Sequence, residues 1–161
     1  MNSAINKGGF SLIEMLIVLA VISILLMMAM PSGLDKKGRQ SVTESLRLVE
    51  QYKPLIEAHY RAQGSFPADN AASGLPAADK IMGNYLASVT ISQGAMTLQL
   101  GKKIMPKLQG KKITIRPLYV PGEPLAPVSW LCGYNHAPAG MLASGDNHTD
   151  ISPAQLPINC R

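Results

Sequence analysis

The 161-residue sequence is poor in three things at once: cysteine (two residues), aromatic side chains (5%) and charge (16%). Two cysteines exclude a disulfide-dense miniprotein, and 14 glycines with 12 prolines in no fixed period exclude a collagen-like repeat. The length admits one domain, or one domain with an appendage, and excludes a large multidomain enzyme. Little charge beside 47% hydrophobic residues is not the composition of a disordered chain. There is no nucleophile elbow, phosphate-binding loop or paired-carboxylate site, and His59 and His136 have no sequence neighbours that suggest catalysis. Neither an enzymatic activity nor a cofactor is expected.

Acidic residues are missing altogether between Lys80 and Gly122, where seven basic ones stand: Lys80, Lys102, Lys103, Lys107, Lys111, Lys112 and Arg116. Elsewhere charge nearly cancels. Lys7 balances Glu14 over 1–33, and six basic residues balance six acidic ones over 34–79, as on a solvated helix. The net charge of +5 therefore belongs to one segment. Hydrophobicity is as localised: from Met15 to Met30 only Ser23 is polar. Counted from Phe10 the apolar run has 21 residues, about 31 Å as a helix and enough to span a bilayer. A cleavable secretory signal is the competing reading. Against it stand the length of the run, the lack of a small-x-small cleavage site, and Pro31, Ser32 and Gly33 arriving only after Met30. Glu14 weighs most, because an unpaired carboxylate in lipid costs on the order of 3 kcal/mol. A charge kept there needs a partner.

The string Lys7-Gly8-Gly9-Phe10-Ser11-Leu12-Ile13-Glu14, followed by the apolar run, resembles the class III signal of type IV pilins and related pseudopilins. The resemblance implies cleavage between Gly9 and Phe10 by a prepilin peptidase, N-methylation of Phe10, and a requirement for Glu14 in assembly. A new ammonium on Phe10 is a natural partner for Glu14 of a neighbouring subunit, since pairing inside a dry helix bundle offsets the desolvation of both. Pro31 falls where the family has a helix-distorting proline. The sequence departs from many major pilins in lacking a tyrosine-rich stretch after it, which favours a minor or divergent subunit.

Val42, Leu46, Val49, Ile56 and Tyr60, with the adjacent row Leu48, Tyr52 and Leu55, predict an amphipathic helix from about Asp35 to Gln63, weakened or bent at Gly38 and Pro54 and stopped at Gly64. Ser65-Phe66-Pro67 resembles the turn that many pilins have after this helix, and 68–80 reads as a loop. From Tyr85 the period becomes two. Leu86–Ile91 and Met96–Leu100 flank a hairpin signal at Ser92-Gln93-Gly94; Lys112–Arg116 and Val128–Cys132 follow turns at Pro106–Gly110 and Pro121–Pro127. This series resembles the strands of type IVa pilin headgroups. The expected fold is α+β: a long N-terminal helix, membrane-spanning in its first half and amphipathic in its second, packed on a four-stranded antiparallel sheet. The expected segments are a removable leader at 1–9, a transmembrane and polymerisation helix at 10–33, the amphipathic half at 34–63, and a β headgroup at 64–161.

Cys132 and Cys160 in an exported chain are expected to form a disulfide that staples the unpatterned tail. In type IVa pilins the corresponding loop is exposed and carries recognition. Trp130, on the same strand face as Cys132, is expected to pack against that bridge. Asp146-Asn147-His148-Thr149-Asp150 matches neither zinc nor calcium spacing, so no metal is expected there; Asn147-His148-Thr149 also fits the glycosylation triplet. The leading functional reading is a structural pilus subunit, in the inner membrane as a prepilin and then in an extracellular filament for adhesion, twitching or DNA uptake. Its partners would be other pilin subunits, the peptidase, the assembly machinery, and DNA or a host surface. Two alternatives differ in class. One is a DNA-binding minor pilin contacting phosphates through Lys102, Lys103, Lys107, Lys111, Lys112 and Arg116, converging on one side of the sheet. The other is a type II secretion pseudopilin, against which the cysteine pair speaks.

Overall fold

The computed structural model describes residues 11–29 and 33–161. Gly9, Phe10 and Pro31, and with them the cleavage site and the family proline, lie outside the described residues. The chain divides into two compact units, Met1–Gly33 and Leu34–Arg161.

The first unit contains helix α1, Leu12–Ala29. The carbonyl of Ser11 opens it by accepting from the N–H groups of Glu14 and Met15 at 3.0 and 3.2 Å. Ser23, the one hydroxyl in the apolar run, donates to the Leu19 carbonyl at 2.7 Å, so its polar group is satisfied within the helix. α1 is apolar on every side, and residues 11–27 are all exposed. Its 18 residues rise about 27 Å. Among the described residues no helix is long and apolar enough to cross a membrane; the 21-residue count needs Phe10 and Met30, which fall outside them.

In the second unit the expected single amphipathic helix is interrupted. Helix α2 covers Gly33–Val49, a 3-10 turn covers Glu50–Tyr52, and helix α3 covers Lys53–Gln63. The cause is Pro54: it has no N–H, and its ring clashes with the carbonyl four residues back. The chain tightens over one turn and restarts with Pro54 in the first turn of α3, where no N–H is needed. Gly38 neither ends nor interrupts α2. It is buried, and a Cβ there would meet Leu108 Cδ1 at 3.2 Å and Met105 Sδ at 3.3 Å. Gly64 takes the left-handed conformation and ends α3 by donating to the Tyr60 carbonyl at 2.8 Å.

The sheet is antiparallel, in the order β1 (Leu86–Ser92), β2 (Ala95–Leu100), β3 (Lys112–Tyr119), β4 (Ser129–Cys132), and β5 (Leu142–Ala143) also pairs with β3. The fifth strand is a correction to the four expected: two residues carry no periodicity that a sequence reading can detect. β3 also runs three residues further than expected, through Pro117. β2 ends its pairing at Ile115, so Pro117 has no ladder bond to donate there, and its carbonyl accepts from Ser144 at 3.0 Å. The β1–β2 hairpin turns at Gln93-Gly94, both at positive φ (49° and 78°), the combination that matches strand twist. Glycine is needed there, because a Cβ would stand 2.8 Å from the Phe66 ring.

Cross-strand rows Val89–Leu98–Ile113 and Ile91–Met96–Ile115 form one apolar face. They share a core with Val42, Leu46, Val49 and Ile56 from the helices and Ile151 and Leu156 from the tail. Each large aliphatic group so buried contributes about 1.5–3 kcal/mol. Despite the low aromatic content, Tyr60 and Phe66 stack at 4.2 Å and Tyr119 closes the group edge-on.

Candidate functional site

Two regions carry the expected functional residues. On α1, Glu14 is in the first turn and exposed, and its carboxylate has no hydrogen bond or ion pair among the described residues. A carboxylate one turn into an all-apolar helix is costly in any dry environment unless a cation reaches it. The helix offers none of its own: from Leu12 to Ala29 Glu14 is the only charged residue.

The second region is the tail after β4. Cys132 and Cys160 form a disulfide with Cα atoms 4.5 Å apart. Gly133, at positive φ, lets the chain turn beside the bridge, since a Cβ there would collide with the Cys160 carbonyl. Between the cysteines the tail flanks β3 at both ends. β5 pairs with Leu118 and Tyr119, and the Ser144 hydroxyl donates to the Gln93 carbonyl at 2.7 Å. At the other end the Lys112 N–H donates to Asp150 Oδ1 at 2.6 Å, the Asp150 N–H to the Lys112 carbonyl at 3.1 Å, and the Thr114 N–H to Thr149 Oγ1 at 3.0 Å. Asn147 donates to the Gly133 carbonyl and accepts from the Thr149 N–H, so the residue of the glycosylation triplet is already engaged within the loop. Among the described residues no group of three His, Cys, Asp or Glu side chains could hold a metal.

Trp130 packs against the core, and its indole N–H donates to Glu57 Oε1 on α3 at 2.8 Å. Lys53 stands 5.5 Å from the ring centroid and is held by Glu50. Trp130, Lys53 and Glu50, with both cysteines, line a recess of about 340 Å³. The tryptophan therefore ties α3 to β4 as well as lying beside the bridge.

Lys112 and Arg116 share the face of β3 opposite Ile113 and Ile115, but the six basic residues do not form one exposed patch. Arg116 is half-buried, with Nη2 donating to the Asn135 carbonyl at 3.4 Å and Nε buried without a hydrogen-bond partner. Strand alternation turns it to the face that the tail covers, away from Ile115. Lys111 is ion-paired with Asp150 at 3.6 Å. Lys112 is exposed beside a polar recess lined by Ser88, Thr90, Thr97, Gln99 and His148. Lys102, Lys103 and Lys107 are exposed on the β2–β3 connection, and Lys103 shares a different recess with Lys37 of α2.

Sequence reasoning missed Asn70. Its amide behaves as a surrogate strand on the free edge of β1: Nδ2 donates to the Val89 and Pro76 carbonyls at 3.0 Å each, and Oδ1 accepts from the Ile91 N–H at 2.8 Å. With Gly94 donating to the Pro67 carbonyl at 2.8 Å, it seats the loop after α3 on the sheet. No periodicity marks such a residue, and in sequence it is one position of the loop expected at 68–80.

An all-apolar helix carrying one carboxylate, in one chain with a disulfide-closed α+β head, defines a class: subunits whose N-terminal helix must find its apolar surroundings outside its own fold. Comparison agrees. The pilin (bacterial filament) family matches residues 38–161, and the prokaryotic N-terminal methylation motif matches residues 5–30. The chain is 31% identical to the type IV major pilin protein PilE of Neisseria gonorrhoeae over 96% of this chain and 94% of that one. It is 30% identical to a fimbrial protein of Neisseria meningitidis serogroup B over the same shares. It is 33% identical to the fimbrial protein EcpC of Eikenella corrodens over 80% and 84%. The chain belongs to the pilin family. Its members are structural proteins, so its role is that of a pilus subunit in company with other pilin subunits.

Proposed function

We propose that the chain is a type IV prepilin, cut between Gly9 and Phe10, methylated on Phe10, and held in the inner membrane by its apolar N-terminal segment until it polymerises. The observation that carries this reading is α1 itself: apolar all round, exposed over 11–27, with Glu14 as its lone charge. Such a helix is stable in lipid or among copies of itself, and the move from one to the other is filament assembly. The Phe10 ammonium of one subunit pairs with Glu14 of the next. The head supplies the outer surface, on which adhesion, twitching motility or DNA uptake would act. A primary nucleic-acid role has less support, because Arg116 lies under the tail and Lys111 is paired. Mass spectrometry of sheared filaments tests the proposal. It should find a chain beginning at Phe10 and heavier by one methyl group; a mature start near Ser32 would mean an ordinary signal peptide.

A further inference from the structure

The structure brings Lys37 and Lys103, 66 positions apart in sequence, to one recess, and Lys36 and Lys102 are their sequence neighbours. Lys36 and Lys37 are exposed on the first turns of α2, and Lys102 and Lys103 are exposed on the β2–β3 connection. Gly38 joins the two segments, because its missing side chain admits Leu108 and Met105 against the helix. Lys37, Lys103 and Tyr85 line one recess of about 410 Å³. Glu44, the acid in that recess, lies 3.5 Å from the Asn84 amide nitrogen.

Chain connectivity places this cluster in a definite zone. Residues 30–32 separate the end of α1 from the start of α2. Four extended residues and one helical turn reach at most about 20 Å. Lys36 and Lys37 therefore stay within about 20 Å of the last residue of α1, whatever the arrangement of the two units. A lysine side chain and a headgroup layer cover much of that span, and the field of an anionic surface decays over about 8 Å in physiological salt. More basic residues follow the apolar run than precede it: Lys7 stands before it, and Lys36, Lys37 and Arg39 stand after it beside the single acid Asp35.

We propose that Lys36, Lys37, Lys102 and Lys103 form a collar that binds anionic phospholipid headgroups while the subunit waits in the membrane. This inference rests on the membrane-inserted stage proposed above. The collar holds the head against the bilayer, and leaving the membrane for the filament requires its release. Each lysine is an ammonium on a long stem, suited to a phosphate as a point charge without bidentate geometry.

The test uses the full chain reconstituted into vesicles of pure phosphatidylcholine, or of phosphatidylcholine with phosphatidylglycerol. Amine labelling is followed residue by residue by mass spectrometry, with exposed Lys80 as the internal control. In the anionic vesicles the four collar lysines should label roughly fivefold more slowly, equivalent to about 1 kcal/mol per lysine. High salt should abolish the difference, and Lys80 should label alike in both. Equal rates at the collar in the two lipids overturn the proposal. So does protection by a DNA duplex in neutral vesicles without protection by anionic lipid, which reassigns the patch to nucleic acid. Flotation separates the two failures: a chain that does not float with salt-washed vesicles defeats the membrane stage itself, whereas one that floats with unprotected lysines defeats only the collar.

Discussion

Helices α1 and α2 have nearly the same length, 18 and 17 residues, yet they handle apolar surface in opposite ways. α2 is amphipathic and closes its own core: Val42 and Val49 are fully buried. α1 has no polar face, and Leu12 and Met27 remain 79% and 80% exposed. A helix apolar on every side finds no stable place in water as an isolated element. The difference teaches where each part gets its stability: the head from contacts within the subunit, α1 from whatever surrounds it. Changes in α1 should therefore alter assembly without altering the head, and changes in the head should do the reverse.

The largest effect expected is at Glu14. Glu14→Val makes α1 more apolar, so insertion into the membrane should persist, but under the proposed pairing the Phe10 ammonium of a neighbouring subunit would lose its partner. Removing one member of a buried pair costs roughly 3–5 kcal/mol, so filament yield should fall more than about a hundredfold at unchanged membrane levels. Immunoblots of sheared and membrane fractions read both quantities. Normal yield would remove the pairing argument and leave α1 a purely apolar anchor.

Next comes the bridge. Cys132 and Cys160 are 28 residues apart, and loop closure on that scale contributes about 3.6 kcal/mol. The double change Cys132→Ala with Cys160→Ala should lower head stability by about that amount in urea unfolding, with insertion unaffected. Asn70→Ala should cost roughly 2–4 kcal/mol, because it strands the Val89 carbonyl and the Ile91 N–H at a buried edge. Asn70→Asp should lose much of the same, since a carboxylate accepts from Ile91 but cannot donate to Val89. Losses below about 1 kcal/mol in either would mean that water replaces the amide.

Legibility in the sequence followed the physical range of each signal. The apolar run, the amphipathic row from Val42 to Tyr60 and the main strands repeat with a helical or strand period, and repetition is what a sequence displays. Pro54 announced a disturbance but not its form, since the 3-10 turn depends on how α3 restarts. β5, the Asp150 bracket on Lys112 and the Asn70 cap on the β1 edge are isolated contacts between residues 19–38 positions apart, set by tertiary placement alone. The basic run over 80–122 showed the opposite limitation. Its composition was plain, but strand alternation and the tail placed Arg116, the Asp150 pair placed Lys111, and the β2–β3 connection placed Lys103 in three different surroundings.

The smallest expected effect is at Gly38, where two terms of similar size oppose each other. Glycine within a helix costs about 1 kcal/mol relative to alanine, so Gly38→Ala gains on propensity. The new methyl would stand 3.2 Å from Leu108 Cδ1 and 3.3 Å from Met105 Sδ, closer than comfortable packing, and overfilling a core typically costs 1–3 kcal/mol. Both neighbours are ends of flexible side chains, and methionine in particular adapts, so the lower end of that range applies. Gly38→Ala should therefore change head stability by less than about 0.5 kcal/mol, whereas Gly38→Val, larger and β-branched, should lose about 1–3 kcal/mol. Urea unfolding measures both. A loss above 2 kcal/mol for the alanine variant would show that the β2–β3 connection is seated rigidly on α2, whereas a gain near 1 kcal/mol would show that it yields. Since Gly38 packs on Leu108 and Met105 of the head, membrane insertion of both variants should equal that of the parent; a change there would break the division between the two helices.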